Sequence, residues 1–378
     1  MQLVIQLQQQ CHGGRARSIE NGDVEIDVAF IASPTSDIYG NINGVYGEYA
    51  CGSLGYAFPD AQFANHVIAV TNNLVPFPNA PISISQEHVD TVVELDKPIG
   101  DPRGIVSTTL RVTRDPKGLK IARNCIEVIK ASGLLKDGFS YQSGAGGTTL
   151  AATNYLREYM ISKGIKGSFA MGGATESLVK MLEDGLFKTI LDVQSFDTYA
   201  VKSLLNNPNH IEIGASQYAN PFTSGCVANL LDTIILGGTE VDVNFNVNTS
   251  TESDGRIMWG MGGHQDTAEG AKLTIIAVPL LRGRIPIIVD DVISVNSPGE
   301  NIDVVVTERG IAINPNSPHY STLKRNKKLD IKSIDELKKI AENLISGKPK
   351  KPKTTDRIVA MIEYRDGSVL DVIYQVKD

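Results

Sequence analysis

One pattern of apolar and polar residues occurs twice in this 378-residue chain, and the repeat restricts the folds that the chain can adopt. Each copy is an apolar run followed by an aspartate and an asparagine, namely 26–31 with Asp37 and Asn41, and 231–236 with Asp242 and Asn246. Both polar pairs are offset by 205 residues (242 − 37 and 246 − 41). Apolar runs at 67–70 and 275–278 follow at an offset of 208. Offsets of this length indicate two related domains and do not fit a solenoid of short repeats.

The apolar runs of both copies are short, continuous and rich in β-branched residues. Strands that are covered on both faces in a parallel sheet have this composition, whereas half-exposed strands alternate apolar and polar residues. Residues 117–135 show helical spacing, and residues 148–161 form a second helical pattern directly after a glycine cluster. We therefore predict an α/β fold with two related domains, mainly parallel sheets and helices on the sheet faces.

The predicted domains are residues 1–112, residues 113–330 and a tail at 331–378. About 115 residues precede the repeated strand in the second copy, and only 25 precede it in the first. We therefore expect the first domain to be truncated at its start. An upstream segment or a separate chain would complete it, and the sequence does not distinguish the two.

The tail is predicted to hold a helix, a basic linker and a β-hairpin packed on the second domain. Ser333 and Glu336 have the spacing of a capping box before an amphipathic helix at 334–345. The linker is the lysine- and proline-rich stretch 348–353. Strands at 358–364 and 369–376 flank Asp366-Gly367, a pair that predicts a two-residue hairpin turn.

Composition excludes several classes of function. With 43 acidic and 36 basic residues, the net charge of −7 argues against a nucleic-acid surface. No uninterrupted apolar segment reaches the roughly 18 residues of a membrane span, and the N-terminus lacks a secretion signal, which predicts a cytoplasmic protein. The four cysteines lie far apart without a C-x-x-C pair, so we expect reduced thiols and no metal site.

A first glycine cluster, with Gly144, Gly146 and Gly147, stands between a predicted strand and a predicted helix. Missing side chains there let backbone N–H groups approach an anion or an acyl oxygen. The same glycines can also form only a tight turn, and their spacing differs from that of dinucleotide-binding loops. The cluster alone leaves both interpretations open.

A second cluster resembles a loop of a known family. The acetyl-CoA hydrolase and transferase group and the citrate lyase alpha subunits carry G-x-G-G-x-x-D, followed by Gly-Ala, beside the acyl-CoA site. This chain matches that loop with Gly260, Gly262, Gly263 and Asp266, and with the pair at 270–271. Segments similar to citrate lyase alpha subunits are 12–15, 27–30, 51–56, 191–197, 207–213, 262–268 and 282–286.

The resemblance implies two domains of the coenzyme A transferase type and an acyl-transfer activity. The reaction would move an acyl-carrier thioester from acetate to citrate, without a permanently bound cofactor. The transferred thioester is that of a coenzyme A-like phosphopantetheine arm on an acyl carrier protein. The implied partners are the beta (lyase) and gamma (acyl carrier) subunits of citrate lyase, in an oligomer. Both glycine clusters, with Gln265 and Asp266, would hold the thioester.

Glu240 is the candidate catalytic carboxylate. In the wider family, a glutamate in a Glu-x-Asp stretch attacks the acyl-CoA carbonyl, and Glu240-Val241-Asp242 is similar to that stretch. Citrate lyase alpha subunits are described as using direct attack by citrate, in which case Glu240 orients substrate or handles protons. A glutamate at a strand end also commonly forms only an ion pair. Thr35 occupies the equivalent position of the first copy, so one active site is expected.

Because citrate carries several carboxylates, its binding site is expected to contain positively charged side chains. The candidates are Arg15, Arg282, Arg284 and Arg309. His264, inside the second glycine loop, is a candidate catalytic donor to the thioester oxygen or to citrate. Each of these residues can equally be structural or solvated.

Other functions remain open from the sequence. An acetate-type CoA transferase or acyl-CoA hydrolase would depend on small monocarboxylates instead of citrate. A sugar-phosphate isomerase or sensor shares the expected fold, since fold does not determine function, although such proteins usually need a single domain. A non-catalytic scaffold is the third alternative.

Overall fold

The structure is a computed structural model that describes residues 7–100, 111–258, 260–345 and 351–377. Its helices are α1 (His12–Glu20), α2 (Phe58–Phe63), α3 (Pro116–Ser132), α4 (Gly147–Lys163), α5 (Glu176–Glu183), α6 (Thr198–Asn206), α7 (Ala215–Ala219), α8 (His264–Gly270), α9 (Tyr320–Lys324) and α10 (Ile334–Ile345). No helix in the described part of the chain is both long and apolar enough to cross a membrane.

The strands of the same residues are β1 (Leu7–Gln9), β2 (Val28–Ala32), β3 (Thr35–Ser36), β4 (Ile42–Asn43), β5 (His66–Thr71), β6 (Thr91–Glu94), β7 (Tyr141–Ser143), β8 (Gly167–Ala174), β9 (Phe187–Ser195), β10 (His210–Glu212), β11 (Thr233–Leu236), β12 (Glu240–Asp242), β13 (Val247–Asn248), β14 (Leu273–Ala277), β15 (Leu281–Arg282), β16 (Ile285–Pro286), β17 (Ile288–Val289), β18 (Val304–Thr307), β19 (Gly310–Ile313), β20 (Thr354–Glu363) and β21 (Val369–Val376).

The largest sheet has the strand order β10-β9-β8-β7-β11-β14-β18-β19. Its strands are parallel except for the β18–β19 pair at one edge. Strands β11, β14 and β18 are buried along their whole length, because helices and loops cover both faces. A smaller parallel sheet, β2-β5-β6, lies in the first part of the chain. These sheets confirm the predicted α/β fold.

The internal repeat is visible in the strand pairing. β3 pairs with β4 so that Thr35 faces Asn43, and β12 pairs with β13 so that Glu240 faces Asn248. In the turn of each pair, the asparagine side chain donates a hydrogen bond to the aspartate, from Asn41 to Asp37 and from Asn246 to Asp242. The repeated polar residues therefore build the same tight turn in both copies.

The two copies differ at one sheet edge. β11 is paired on both sides, by β7 and β14, whereas β2 is paired only with β5 among the described residues. Phe30 on β2 is 72% exposed. The predicted domain limits remain predictions, because residues 101–110, beside the first limit, lie outside the described residues.

Helix α3 shows how local signals set the element boundaries. The Asp115 side chain accepts a hydrogen bond from the Lys117 N–H, and Pro116 occupies the first turn, where its missing N–H costs nothing. Gly133 ends the helix in the left-handed conformation at φ 80°. The apolar face packs Ile121, Cys125 and other residues into the main core against the large sheet.

The tail confirms one local prediction and corrects another. Ser333 and Glu336 form the predicted capping box, in which the Glu336 N–H donates to Ser333 Oγ and the Ser333 N–H donates to the Glu336 carboxylate. The hairpin β20–β21 is present, but its loop is not a two-residue turn. Tyr364 and Ser368 are hydrogen-bonded across it, which leaves three residues, and Gly367 takes the left-handed conformation at φ 99°. Linker residues 348–350 lie outside the described residues.

Candidate active site

The candidate site is a cleft at the carboxyl ends of β7 and β11. From β7 the chain adds β8, β9 and β10 on one side of the sheet, and from β11 it adds β14 and β18 on the other. Ligands of open α/β sheets bind at such a reversal of strand order, because the loops that follow the two central strands diverge and leave a crevice.

The first glycine loop forms one wall of this cleft. The Gly144 N–H donates to the Ile235 carbonyl at 2.9 Å, which ties the loop to β11. Helix α4 then begins at Gly147, and no side chain caps its N-terminus. A Cβ on Gly147 would lie 2.7 Å from the Arg111 carbonyl oxygen, so a larger residue does not fit without a shift. The loop therefore presents backbone N–H groups of the first helical turn to the cleft.

The second glycine loop also lines the cleft. Gly262 has φ 61°, a conformation that favours glycine. A Cβ on Gly263 would lie 2.5 Å from the Tyr218 hydroxyl oxygen, which shows how closely the loop packs. The Gly262 carbonyl accepts a hydrogen bond from the His12 N–H at 3.1 Å, so the start of α1 is fastened to this loop.

The cleft has a volume of about 530 Å³. Its lining combines backbone-rich loops with a few polar and aromatic side chains, including Gly144, Gly146, Gly147, Gly237, Gly238, Gly262, Gly263, His12, Tyr56, Gln142, Phe196, Tyr218, His264 and Arg282. Gly260 is not among the lining residues of this cavity. Both predicted glycine clusters thus meet in one cavity, although they are more than 100 positions apart in the sequence.

His264 lines the cleft, but both ring nitrogens have partners within the chain. Nε2 lies 2.8 Å from the Gly237 carbonyl oxygen, which can only accept, so this nitrogen carries the proton. Nδ1 then accepts from the Ser297 hydroxyl at 2.7 Å. Burial lowers the pKa of His264 to about 4, although the hydrogen bond to Gly237 opposes this effect. The ring is therefore neutral and holds the Gly237–Gly238 turn in place.

Gln265 and Asp266 lie behind the second loop and do not line the cleft. The Gln265 amide donates to the Asn296 carbonyl at 3.0 Å. Asp266 accepts from the Gly13 N–H at 3.0 Å and from the Cys11 thiol at 3.0 Å. Burial raises the pKa of Asp266 to about 6 against the lowering effect of these bonds and of a nearby arginine. Both side chains fasten the glycine loop to its surroundings.

The four candidate arginines do not meet in one place. Arg282 lines the cleft and donates to the Gly238 carbonyl at 3.0 Å. Arg15 is held by Asp60 through two hydrogen bonds of 2.9 and 2.6 Å, and it lines a different cavity beside β2. Arg284 lines the cavity that contains Glu240, and Arg309 lies in the β18–β19 turn. Only Arg282 of these four lines the cleft with the glycine loops.

Glu240 also lies outside the cleft. Its side chain is buried on β12, where one oxygen accepts from the Asn248 amide at 3.1 Å and from the Ile293 N–H at 3.2 Å. It lines a neighbouring cavity of about 750 Å³ together with Arg284. The hairpin β15–β16 contributes to both cavities, since Arg282 faces the cleft and Arg284 the neighbouring cavity. A catalytic role for Glu240 remains a prediction.

Several side chains that line the cleft were not predicted as site residues, among them Gln142, Phe196, Tyr218, His12 and Tyr56. In the sequence, His12 and Tyr56 stand out only as members of the family-like segments 12–15 and 51–56. The ring centroids of His12 and Tyr56 lie 4.3 Å apart, and both residues line the glycine cleft as well as the cavity beside β2. The available signal was weak, because neither residue stands in a glycine loop or at the end of a repeated strand.

The fold is shared with solved coenzyme A transferases. A 4-hydroxybutyrate CoA-transferase from Porphyromonas gingivalis matches with a TM-score of 0.56 and 19% identity over 89% of this chain and 79% of that one. The alpha subunit of a malonate decarboxylase from Acinetobacter baumannii has the same TM-score and identity over 82% and 68%. Together with the closer relatives that follow, this places the chain among acyl-transfer enzymes with the coenzyme A transferase fold.

The family can be stated more narrowly. The family model "Citrate lyase, alpha subunit (CitF)" matches residues 3–376. The citrate lyase alpha chain of Haemophilus influenzae is 48% identical over 97% of this chain and 73% of its own length, and that of Klebsiella pneumoniae is 47% identical over 97% and 72%. A Streptococcus mutans structure, described as the alpha subunit of citrate lyase in complex with citrate, has a TM-score of 0.94 and 50% identity over 97% and 72%. The chain belongs to the citrate lyase alpha subunit family.

Proposed function

We propose that this chain transfers an acyl-carrier thioester from acetate to citrate and that the reaction takes place in the cleft between the two glycine loops. The observation that carries the proposal is the meeting of both loops with Arg282 at the reversal of the sheet order. The description of the S. mutans relative as a complex with citrate supports the choice of acceptor.

The proposed chemistry needs no net proton transfer. A carboxylate oxygen of citrate forms a bond to the thioester carbonyl carbon, the C–S bond breaks, and the thiolate leaves with the electron pair. The thiolate then attacks the citryl carbonyl of the mixed anhydride, the C–O bond breaks, and acetate leaves. The carbonyl oxygen gains negative charge in each addition, so fixed N–H donors at that oxygen lower the barrier.

The residues of the cleft suit these steps. The uncapped first turn of α4 offers N–H groups and the positive end of a helix dipole to an oxyanion. The exposed Arg282 guanidinium can bind a citrate carboxylate through two parallel hydrogen bonds. The thioester arm enters as part of the substrate, carried by the phosphopantetheine of an acyl carrier protein. The beta (lyase) and gamma (carrier) subunits of a citrate lyase oligomer are the proposed partners.

The test is citrate-dependent release of labelled acetate from acetyl-CoA or acetyl carrier protein by the purified full chain. We expect release that depends on citrate, with formation of citryl thioester in equal amount. Exchange that depends on propionate or acetate and ignores citrate would instead establish a monocarboxylate CoA transferase. The Glu240→Gln variant in the same assay shows whether turnover needs that carboxylate.

A further inference from the structure

His12 is a cleft side chain for which the repeat and the glycine loops assign no role. It is the first residue of α1, and its backbone N–H donates to the Gly262 carbonyl at 3.1 Å. A Cβ built on Gly262 would lie 3.4 Å from His12 Nε2, so the imidazole edge lies directly over this glycine. The Tyr56 ring packs against its face. The position of the ring in the cleft is thus set by a backbone bond, a glycine and an aromatic neighbour.

The hydrogen-bonding capacity of the His12 ring is not used within the described residues, where neither ring nitrogen has a partner within hydrogen-bond distance. His264, the other imidazole of the cleft, has both nitrogens engaged. Burial, with a smaller contribution from the nearby Arg15, lowers the pKa of His12 to about 4. At neutral pH the ring is therefore uncharged, with one N–H donor and one acceptor nitrogen.

We propose that His12 donates a hydrogen bond from its ring to the carbonyl oxygen of the thioester while that carbon is attacked. This inference rests on the proposed function and assigns to His12 the role that the sequence suggested for His264. The citrate oxygen–carbon bond forms, the C–S bond breaks and the proton stays on the imidazole throughout. A neutral donor suits this task, because it stabilises the developing oxyanion without attracting the free carboxylates of citrate into a salt bridge at the reacting carbon.

A purely structural role would be to pack against Tyr56 and to close the end of the cleft. The two roles make different demands on the side chain. Packing needs an apolar or aromatic surface of similar size, whereas donation needs an N–H group at the position of the ring edge. A glutamine can supply that N–H group, and an alanine cannot.

The kinetic experiment compares His12→Ala, His12→Gln and the control His66→Gln, which changes a histidine on β5 in the first sheet. We expect His12→Ala to lower kcat for citrate-dependent acetate release by about 100-fold to 1000-fold, the usual effect of removing one oxyanion donor. His12→Gln should stay within about tenfold of the wild type, and KM for acetyl-CoA should change little in any variant. A kcat of His12→Ala within twofold of the wild type overturns the proposal, as does an equal loss in both His12 variants.

A binding measurement decides the question without turnover. The probe is the dethia analogue of acetyl-CoA, which keeps the carbonyl group but cannot transfer its acyl group. We expect the ring nitrogen resonances of His12, assigned by their absence in His12→Gln, to shift on binding, while those of His66 stay constant. Bound analogue with unshifted His12 resonances contradicts the proposal. If the wild type releases no acetate with citrate, the proposed function fails, and this measurement still tests the contact with the thioester carbonyl.

Discussion

At the scale of single residues, Asp266 shows how a family-like motif residue can serve structure. It stands at the end of the family-like second glycine motif, yet its oxygens accept hydrogen bonds from Gly13 and Cys11 and it does not line the cleft. Burial raises its pKa to about 6. The carboxyl group therefore holds a proton more tightly in the folded chain than in the unfolded chain.

This raised pKa predicts a pH-dependent stability. Between about pH 4 and pH 6 the folded state binds more protons than the unfolded state, so the stability due to Asp266 is present at low pH and is lost as pH rises through that range. Relative to Asp266→Asn, which cannot ionise, the wild type should lose about 2 kcal/mol of unfolding free energy between pH 4 and pH 7. Urea unfolding at both pH values measures this difference. The exposed Asp356→Asn serves as control, and an equal pH dependence in wild type and Asp266→Asn would contradict the argument.

At the scale of elements, the hairpin β15–β16 contributes to two cavities. From the sequence, its two arginines are candidates for a single citrate site. Gly283 turns the hairpin with φ 63°. Arg282 then faces the glycine cleft, and Arg284, two positions later, faces the cavity of Glu240. Both side chains are exposed, so either can be exchanged with little expected effect on folding.

The hairpin provides a matched pair of variants that tests where the proposed citrate site lies. We expect Arg282→Ala to raise KM for citrate at least about tenfold, because a charge-assisted hydrogen bond to a carboxylate contributes about 1.5–3 kcal/mol. Arg284→Ala should leave this KM within about twofold of the wild type. Steady-state kinetics with varied citrate measures both. The reverse result would move the acceptor site to the Glu240 cavity and would favour a role for that carboxylate.

At the scale of the whole molecule, the first and last described segments of the chain pair with each other. β1 pairs with β20 in parallel, and Arg17 on α1 forms an ion pair with Glu363 at the end of β20. From the following hairpin loop, Arg365 reaches the Asn229 side chain at 3.0 Å and the Ala219 carbonyl at 3.1 Å. Its Nε lies 3.8 Å from Asp266. The tail therefore contacts both α1, through Glu363, and the end of the second glycine motif, through Arg365.

Removing the buried guanidinium of Arg365 should lower the stability of the whole folded chain. We expect Arg365→Met to lower the free energy of unfolding by about 3 kcal/mol, since breaking a buried ion pair leaves its partner uncompensated. Arg365→Lys retains the charge but not the planar donor group, so its loss should be smaller. Denaturant unfolding of the full chain provides both values. If Arg365→Met lowers the free energy of unfolding by less than about 1 kcal/mol, the tail does not stabilise the folded chain through this residue.

The features that could be read from the sequence are those set by neighbours along the chain. Apolar runs predicted the parallel strands, and the capping-box spacing predicted the start of α10. The 205-residue offset predicted two related copies, and the copies share paired turns at Asp37 and Asp242. Local spacing controls these structures because backbone hydrogen bonds and the burial of a strand or helix face depend on residues a few positions apart. The family-like motifs added the glycine loops and the acyl-transfer activity.

Only the tertiary structure decided which side chains line the glycine cleft. Arg282 and Arg284 stand in the same local pattern, yet a single turn sends them into different cavities. His264 stands inside the motif but has both nitrogens engaged, whereas His12 reaches the same cleft from 250 positions away, through the bond of its N–H to Gly262. Contacts between such distant residues arise when separate elements pack against each other, and hydrophobic packing is not directional. No sequence pattern around one residue therefore specifies its partner.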